Sequence, residues 1–374
     1  MQRGSLRELA TLFLRLGSIA FGGPAAHIAL MEDEFVERRA WLDRRHFLDL
    51  IGATNLIPGP NSTEVAIHLG YERAGYPGLL VAGLGFIAPA AILVTVLAWG
   101  YVEFGTTPAV EALLYGIEPV MIAIVVHALV RLAPAALSRF ALSALAIGVL
   151  AAYLFGINEL LLLFGAGLFY MVAVNAARVR ANALLVVLPL AATAAPPPDV
   201  DLTRMFLLFL KIGAVLYGSG YVLLAFLRGE FVDDLGWLTE QQLIDAVAIG
   251  QLTPGPVSTT ATFIGYVLAG VPGAVLATVA IFLPSFVFVA LSNPIIPKLR
   301  RSVWFSALLD GVNAAALALM GGVTIQLGMA AVVDWWTALI GIVAALLLFA
   351  TRINNVWLIA GGALVGLLTK GVLG

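Results

Sequence analysis

The sequence contains no cysteine, which excludes disulfides, thiol nucleophiles and cysteine-ligated metals. Histidine is nearly as scarce. His27, His46, His68 and His127 are scattered, none at a metal-ligand spacing from another, so no metal site is expected. Charge is thin as well: Asp, Glu, Lys and Arg supply 11% of 374 residues, with a net charge of -2 and no basic run, which argues against a nucleic-acid partner. A Gly-Lys-Ser/Thr phosphate loop is missing, so ATP coupling within this chain is unsupported. Without a His-Glu-x-x-His motif or a recognisable Ser-His-Asp set, an intramembrane enzyme is the weaker reading, and no cofactor is expected.

What the sequence does have is apolar surface: 61% of residues are hydrophobic and the mean hydropathy is +1.02, against roughly half apolar and a quarter charged in soluble domains. Apolar runs long enough to cross about 30 Å of hydrocarbon recur along the whole chain. The expected crossings are 77–102, 109–130, 140–155, 160–176 and the shorter 183–195, then 272–291, 303–327, 336–350 and 356–368. The short alternating segments of a β-barrel are absent. The fold class is therefore an all-α polytopic membrane protein. Arg3, Arg7, Glu8 and Arg15 fall in the first helical pattern with no cleavage-like site behind them, so this segment reads as mature structure.

The chain repeats itself. Laying 15–64 over 211–260 without gaps gives roughly 15 identities in about 50 positions, among them Gly17/Gly213, Gly22/Gly218, Glu34/Glu230, Trp41/Trp237 and Asp49/Asp245. After a one-residue adjustment the match runs on through Gly70/Gly265, Pro77/Pro272, Pro89/Pro284 and Gly116/Gly311. The expected organisation is a first repeat over 1–180, a linking helix and Pro-rich joint over 181–200, and a second repeat over 201–374. Basic loops at Arg38, Arg39, Arg44 and Arg45, at Arg131 to Arg139, and at Arg178 to Arg180 have acidic or uncharged counterparts in the second repeat. The reverse holds for Lys298, Arg300, Arg301 and Arg352. Because Lys and Arg are retained on the cytoplasmic side, the repeats are expected to have inverted topology, with the N-terminus cytoplasmic. Counting crossings then makes 5–36 and 45–74, with their counterparts, two broken or re-entrant helical hairpins per repeat. Four transmembrane helices follow each pair, and 183–195 is the extra linking helix. Lys370 is the exception, a cation on the side assigned to the outside.

Both repeats break at the same place, Pro58-Gly59-Pro60 and Pro254-Gly255-Pro256, and Ser-Thr follows each break one residue later. The prolines remove donors and disfavour helix before them, so a helix must stop near Ile57 and a new one can begin with Pro60 at its first position. A helix start at membrane depth offers free N–H groups and partial positive charge, which suits a small anion. Asn61, Ser62 and Thr63, with Ser258 and Thr259 in the second copy, are the candidate donors. A plain turn between packed helices is the simpler alternative. A second pair of breaks, Phe21-Gly22-Gly23-Pro24 and Tyr217-Gly218-Ser219-Gly220, follows helices carrying Arg15 and Lys211. Ionisable residues within a membrane are functional candidates by default, so Arg15, Lys211, Gly22, Gly23, Gly218 and Ser219 join the substrate-binding set. Glu64 and His68, just behind the first break, are candidates for proton coupling, capping being the commoner role for a first-turn carboxylate.

The runs "SIAFGGPAAHIALMEDEFV" and "FLDLIGATNLIPGPNSTEVAIHLGY", with "QLTPGPVSTTATFIGY" in the second copy, resemble the chromate ion transporter (CHR) family in its long two-domain form. The resemblance covers essentially the whole chain. It implies a bacterial cytoplasmic-membrane protein that exports chromate and confers tolerance to it, driven by proton-motive force or membrane potential. The expected partners are chromate and the lipid bilayer, with a homodimer as a candidate assembly. Transport of sulfate or a related oxyanion, by carrier or channel, stays open as the alternative.

Overall fold

The computed structural model describes residues 5–21, 23–105, 107–176, 200–217, 222–292, 302–351 and 353–371. The expected linking helix over 183–195, and the site candidates Gly22, Gly218 and Ser219, lie outside the described residues. Among those described the chain is 86% helix with no strand. Fourteen helices follow one another: α1 (Leu6–Ile19), α2 (Gly23–Glu32), α3 (Arg44–Thr54), α4 (Asn61–Phe104), α5 (Pro108–Ala136), α6 (Phe140–Leu154), α7 (Glu159–Val174), α8 (Leu202–Val215), α9 (Leu223–Leu227), α10 (Glu240–Leu252), α11 (Thr260–Ser292), α12 (Val303–Ala331), α13 (Trp335–Ala350) and α14 (Asn355–Gly371). Helix is what an apolar solvent demands, since every backbone donor must then be met within its own segment. Long side chains such as Leu80, Leu84, Ile92, Val96 and Trp99 stand exposed along α4. That outer surface suits lipid tails and would be a liability in water.

The first half of each repeat is built by backbone breaks. At Ala74 and Gly75 the torsions leave the helical region (φ -144°, ψ 20°; φ 63°, ψ -149°), and at Ala269 and Gly270 they do so almost identically (φ -150°, ψ 24°; φ 63°, ψ -152°). These are reversals, not bends: Gly70 meets the Gly78 carbonyl and the Ala82 methyl, and Gly265 meets the Gly273 carbonyl and the Ala277 methyl. Residues eight and twelve apart in a straight helix would be separated by roughly 12 and 18 Å. Glycine is required at 75 and 270 because φ is positive there. π-helical turns at Asp33–Arg38 and Arg228–Asp234 mark equivalent points of the two copies.

The second half of each repeat crosses over to the other. The long helix α5 packs on α13 and α14, which belong to the second repeat, and its counterpart α12 packs on α6 and α7 of the first. Small residues permit the approach: Gly116 faces the backbone of Gly362 and Gly366, and Gly311 faces Ala166 and Gly167, as small residues do where helix backbones come close in lipid. A second unit forms from the broken segments, with α4 packed on α1 and α11, and α11 on α8. The molecule therefore divides into a core of broken helices and a frame of six crossing helices, each assembled from both repeats. Neither unit is a single sequence repeat.

Candidate functional site

Both proline corners are buried where the repeats meet. Gly59 at φ 145° and Gly255 at φ 92° occupy backbone that favours glycine. Each corner is held by the other repeat: the Gly59 amide donates to the Leu216 carbonyl at the end of α8 (2.6 Å), and the Gly255 amide donates to the Ala20 carbonyl at the end of α1 (2.8 Å). In the first corner Pro60 is the N-cap (ψ 99°) and α4 opens at Asn61, one residue later than expected, because Pro60 stays extended. In the second, Val257–Thr259 forms a 3₁₀ turn before α11, closed by the Thr259 amide and hydroxyl, both donating to the Pro256 carbonyl. The Thr63 and Glu64 amides turn back on Pro60 in the same way (2.8 and 3.1 Å), so the α4 amides left over are those of Asn61 and Ser62.

The two corners differ in chemistry. Ser62, Thr63, Glu64 and His68 are buried, as are Ser258 and Thr259. His27 lies behind the first corner, its Nε2 at 2.9 Å from the Ala20 carbonyl and its Nδ1 at 3.1 Å from the Ser62 hydroxyl. A carbonyl only accepts, so Nε2 carries the proton; in the neutral ring Nδ1 then accepts from Ser62. This chain links Ser62 through His27 and Ala20 to the amide of the second corner. In the second repeat Leu223 takes the place of His27, and the buried Ser258 hydroxyl has no partner among the described residues. Gly59 faces the Glu64 carboxyl and the Ser285 hydroxyl, whereas Gly255 faces the methyl of Ala90, the counterpart of Ser285. The first glycine therefore faces an acid and a hydroxyl where the second faces a methyl.

The candidate cations Arg15 and Lys211 do not face the corners. Arg15 is exposed with Thr11 and Ser18, while the opposite face of α1, bearing Gly17, packs on Phe86 and approaches Gly255. Lys211 is partly exposed and pairs with Glu230. Gly23, at φ 78°, opens α2 ahead of Pro24.

A cavity of about 320 Å³ adjoins the first corner, between core and frame. Pro24, Asn55 and Asn61 line it from the core and Leu132, Asn313 and Met320 from the frame. The Asn61 amide donates to the Asn55 side-chain oxygen (2.7 Å), which leaves the Asn55 amide nitrogen for the cavity. The equivalent seam at the second corner is nearly shut. Leu224, Met121, Ile122, Val125 and Leu327, the counterparts of Ile28, Ala316, Leu317, Met320 and Leu132, surround only about 10 Å³, at the threshold for one water. A third cavity, about 600 Å³, lies beyond that seam, with Tyr101, Glu111, Tyr115, Glu118, Gln241, Asp245 and Lys370 in its wall. There the Gln241 amide donates to Glu118 (2.6 Å), the Tyr101 hydroxyl donates to Asp245 (2.7 Å), and the Lys370 ammonium stands 4.9 Å from the centre of the Tyr115 ring. Lys370, anomalous as a topology signal, shares this cavity wall with Glu111, Glu118 and Asp245.

Sequence reasoning missed Asn55, His27, Ser285, Asn313 and Glu118. A signal for most of them was available: each of His27/Leu223, Ser285/Ala90 and Glu118/Asn313 changes character between the repeats.

A family model described as "Chromate transporter" matches residues 7–171 and again 203–367. The chain belongs to the chromate transporter family. It is 34% identical to the chromate transport protein of Cupriavidus metallidurans over 99% of this chain and 94% of that one. A probable chromate transport protein of Synechococcus elongatus is 30% identical over 91% and 89%, and a chromate transport protein of Pseudomonas aeruginosa is 33% identical over 86% and 81%. No solved structure matches. The two family matches fall on the two repeats, and among the described residues four helices are long and apolar enough to cross a membrane. This is a transport-protein family of membrane type.

Proposed function

We propose that this chain is a secondary transporter that exports chromate across the bacterial cytoplasmic membrane by alternating access, using proton-motive force. The observation that carries the reading is the unequal pair of seams, about 320 Å³ at the first corner and about 10 Å³ at the second. In inverted repeats, equivalent seams lie on opposite sides of the membrane, and one open with one shut is what an alternating carrier needs. The open cavity adjoins the end of α5 that carries Arg131, close to Arg139, the side the basic-loop bias assigns to the cytoplasm. Helix α3 (11 residues) and the α4 arm before Ala74 are each too short, at about 16–20 Å, to cross the hydrocarbon. They form a re-entrant hairpin that holds the corner at mid-depth.

Chromate binds in this reading at the first cavity, on the amides of Asn61 and Ser62 and the side chains of Asn55, Asn61 and Asn313. The second corner, with Ser258 and Thr259, takes the same role when the seams exchange. Glu64, buried behind the first corner with no hydrogen bond to either carboxyl oxygen among the described residues, is the proton-coupling group of this reading. Arg15 and Lys211 make no direct contact with chromate in this reading, because neither faces a corner.

Reconstitution in proteoliposomes with chromate, sulfate and imposed pH or voltage gradients tests the proposal. Chromate should accumulate against its gradient when the pH gradient is imposed, and Glu64→Gln should keep chromate exchange while losing that stimulation. Absence of chromate flux, single-channel currents, or full gradient coupling in Glu64→Gln would each reject the corresponding part.

A further inference from the structure

Glu118 and Asn313 occupy the same position in the two repeats, two residues beyond the matched glycines Gly116 and Gly311. In the open seam Asn313 lines the cavity, one turn ahead of Ala316 and Leu317 and two ahead of Met320. In the shut seam Met121, Ile122 and Val125 are pressed together, and Glu118, one turn ahead of Met121 and Ile122 and two ahead of Val125, accepts from Gln241 across the join between frame and core. Glu118 is buried and already borders the larger basin beyond the shut seam, along with Glu111, Asp245 and Lys370.

We infer that Glu118 is the determinant of one-way release. When the second seam opens, Glu118 takes the place in the vestibule wall that Asn313 holds now, so the oxyanion meets a neutral amide on one face and a carboxylate on the other. Tyr101, Tyr115 and Gln241 add no charge to that wall, Glu111 and Asp245 add to its negative sign, and Lys370 offsets part of it. The exit vestibule therefore holds a divalent oxyanion weakly. Unequal affinity does not drive net transport, since it biases no equilibrium by itself. It sets the concentration of released substrate that half-inhibits the initial rate of transport, the stalling concentration.

This inference rests on the chromate-export reading, and the experiment separates the two. Everted membrane vesicles carrying the transporter are preloaded with graded chromate, and the initial rate of chromate uptake into them is measured. The wild type should tolerate high lumenal chromate. Glu118→Gln and Glu118→Asn should stall at lumenal concentrations at least tenfold lower, and Glu118→Asp, which keeps the charge, should behave as wild type. Asn313→Asp should raise the KM on the loading face at least tenfold. An unchanged stalling concentration in both neutral variants would overturn the inference while leaving export intact. Failure of the wild type to accumulate any chromate would remove the export reading, and this inference with it.

Discussion

Replacing Gly255 by alanine tests the central claim that the corners are locked into the opposite repeat. At φ 92° an L-residue is strained, by about 1–2 kcal/mol. The new methyl would lie 2.7 Å from the Ala90 methyl on α4, which is fully buried and fixed to its helix. Overpacking of this kind costs about 1–3 kcal/mol, for a total of about 2–5 kcal/mol. The two contributions can be separated. Ala90→Gly removes the obstructing methyl at a cost of its own of about 1 kcal/mol, so Gly255→Ala with Ala90→Gly should lose about 1–3 kcal/mol less than the sum of the single losses. Reversible unfolding of the four proteins in mixed micelles gives the cycle. Strict additivity would mean that Gly255 does not abut Ala90, and the cross-repeat docking of the second corner would fall. The conformational part should survive in the double variant, leaving it less stable than Ala90→Gly alone.

Arg15→Ala should change stability by no more than about 0.5 kcal/mol and leave chromate export intact, because the side chain is exposed on the outer face of α1; loss of export in a folded protein would restore the cation to the transport path. Lys211→Ala should cost more, about 1 kcal/mol, because it strands Glu230, whose side chain is only 14% exposed, and unfolding relative to Arg15→Ala reads the difference. His27→Leu reproduces the second repeat's residue at the first corner and forfeits two hydrogen bonds. At about 1 kcal/mol each, plus the unmet Ser62 hydroxyl, the loss should be about 2–3 kcal/mol in the same unfolding assay, and a stable variant would show that the His27 link holds nothing.

The breaks were legible because proline and glycine constrain the backbone whatever surrounds them: Pro58, Pro60 and Gly75 act through their own torsions. The duplication was legible because identical residues fall at identical places. Partner choice was not. Helices such as α5 and α12 are apolar all round, so no stripe of hydrophobic residues indicates which neighbour each one takes. The pairing is set by where small residues let backbones meet, at Gly116 against Gly362 and Gly311 against Gly167. The same cause misdirected the cations. Thr11, Arg15 and Ser18 form a polar face that looks purposeful by spacing, yet the face that docks is the one with Gly17, which has no side chain to advertise it.

The interlock decides what can move under the proposed mechanism. A rocking of one sequence repeat against the other would tear α5 from α13 and α14, and α12 from α6 and α7, separating apolar, glycine-seamed contacts along most of four helices. A displacement of core against frame leaves those seams whole and breaks only the join between the units. Both vestibules lie on that join, and among its bonds is the one from Gln241 on α10 to Glu118 on α5 (2.6 Å). Opening the second seam must release this bond and part Leu224 and Ile244 on the core from Met121 and Val125 on the frame, which now enclose about 10 Å³. The corners themselves stay fixed within the core, because the bonds from Gly59 to Leu216 and from Gly255 to Ala20 join core to core. Both corners then keep their places in the core through the cycle, and access to each of them is the variable.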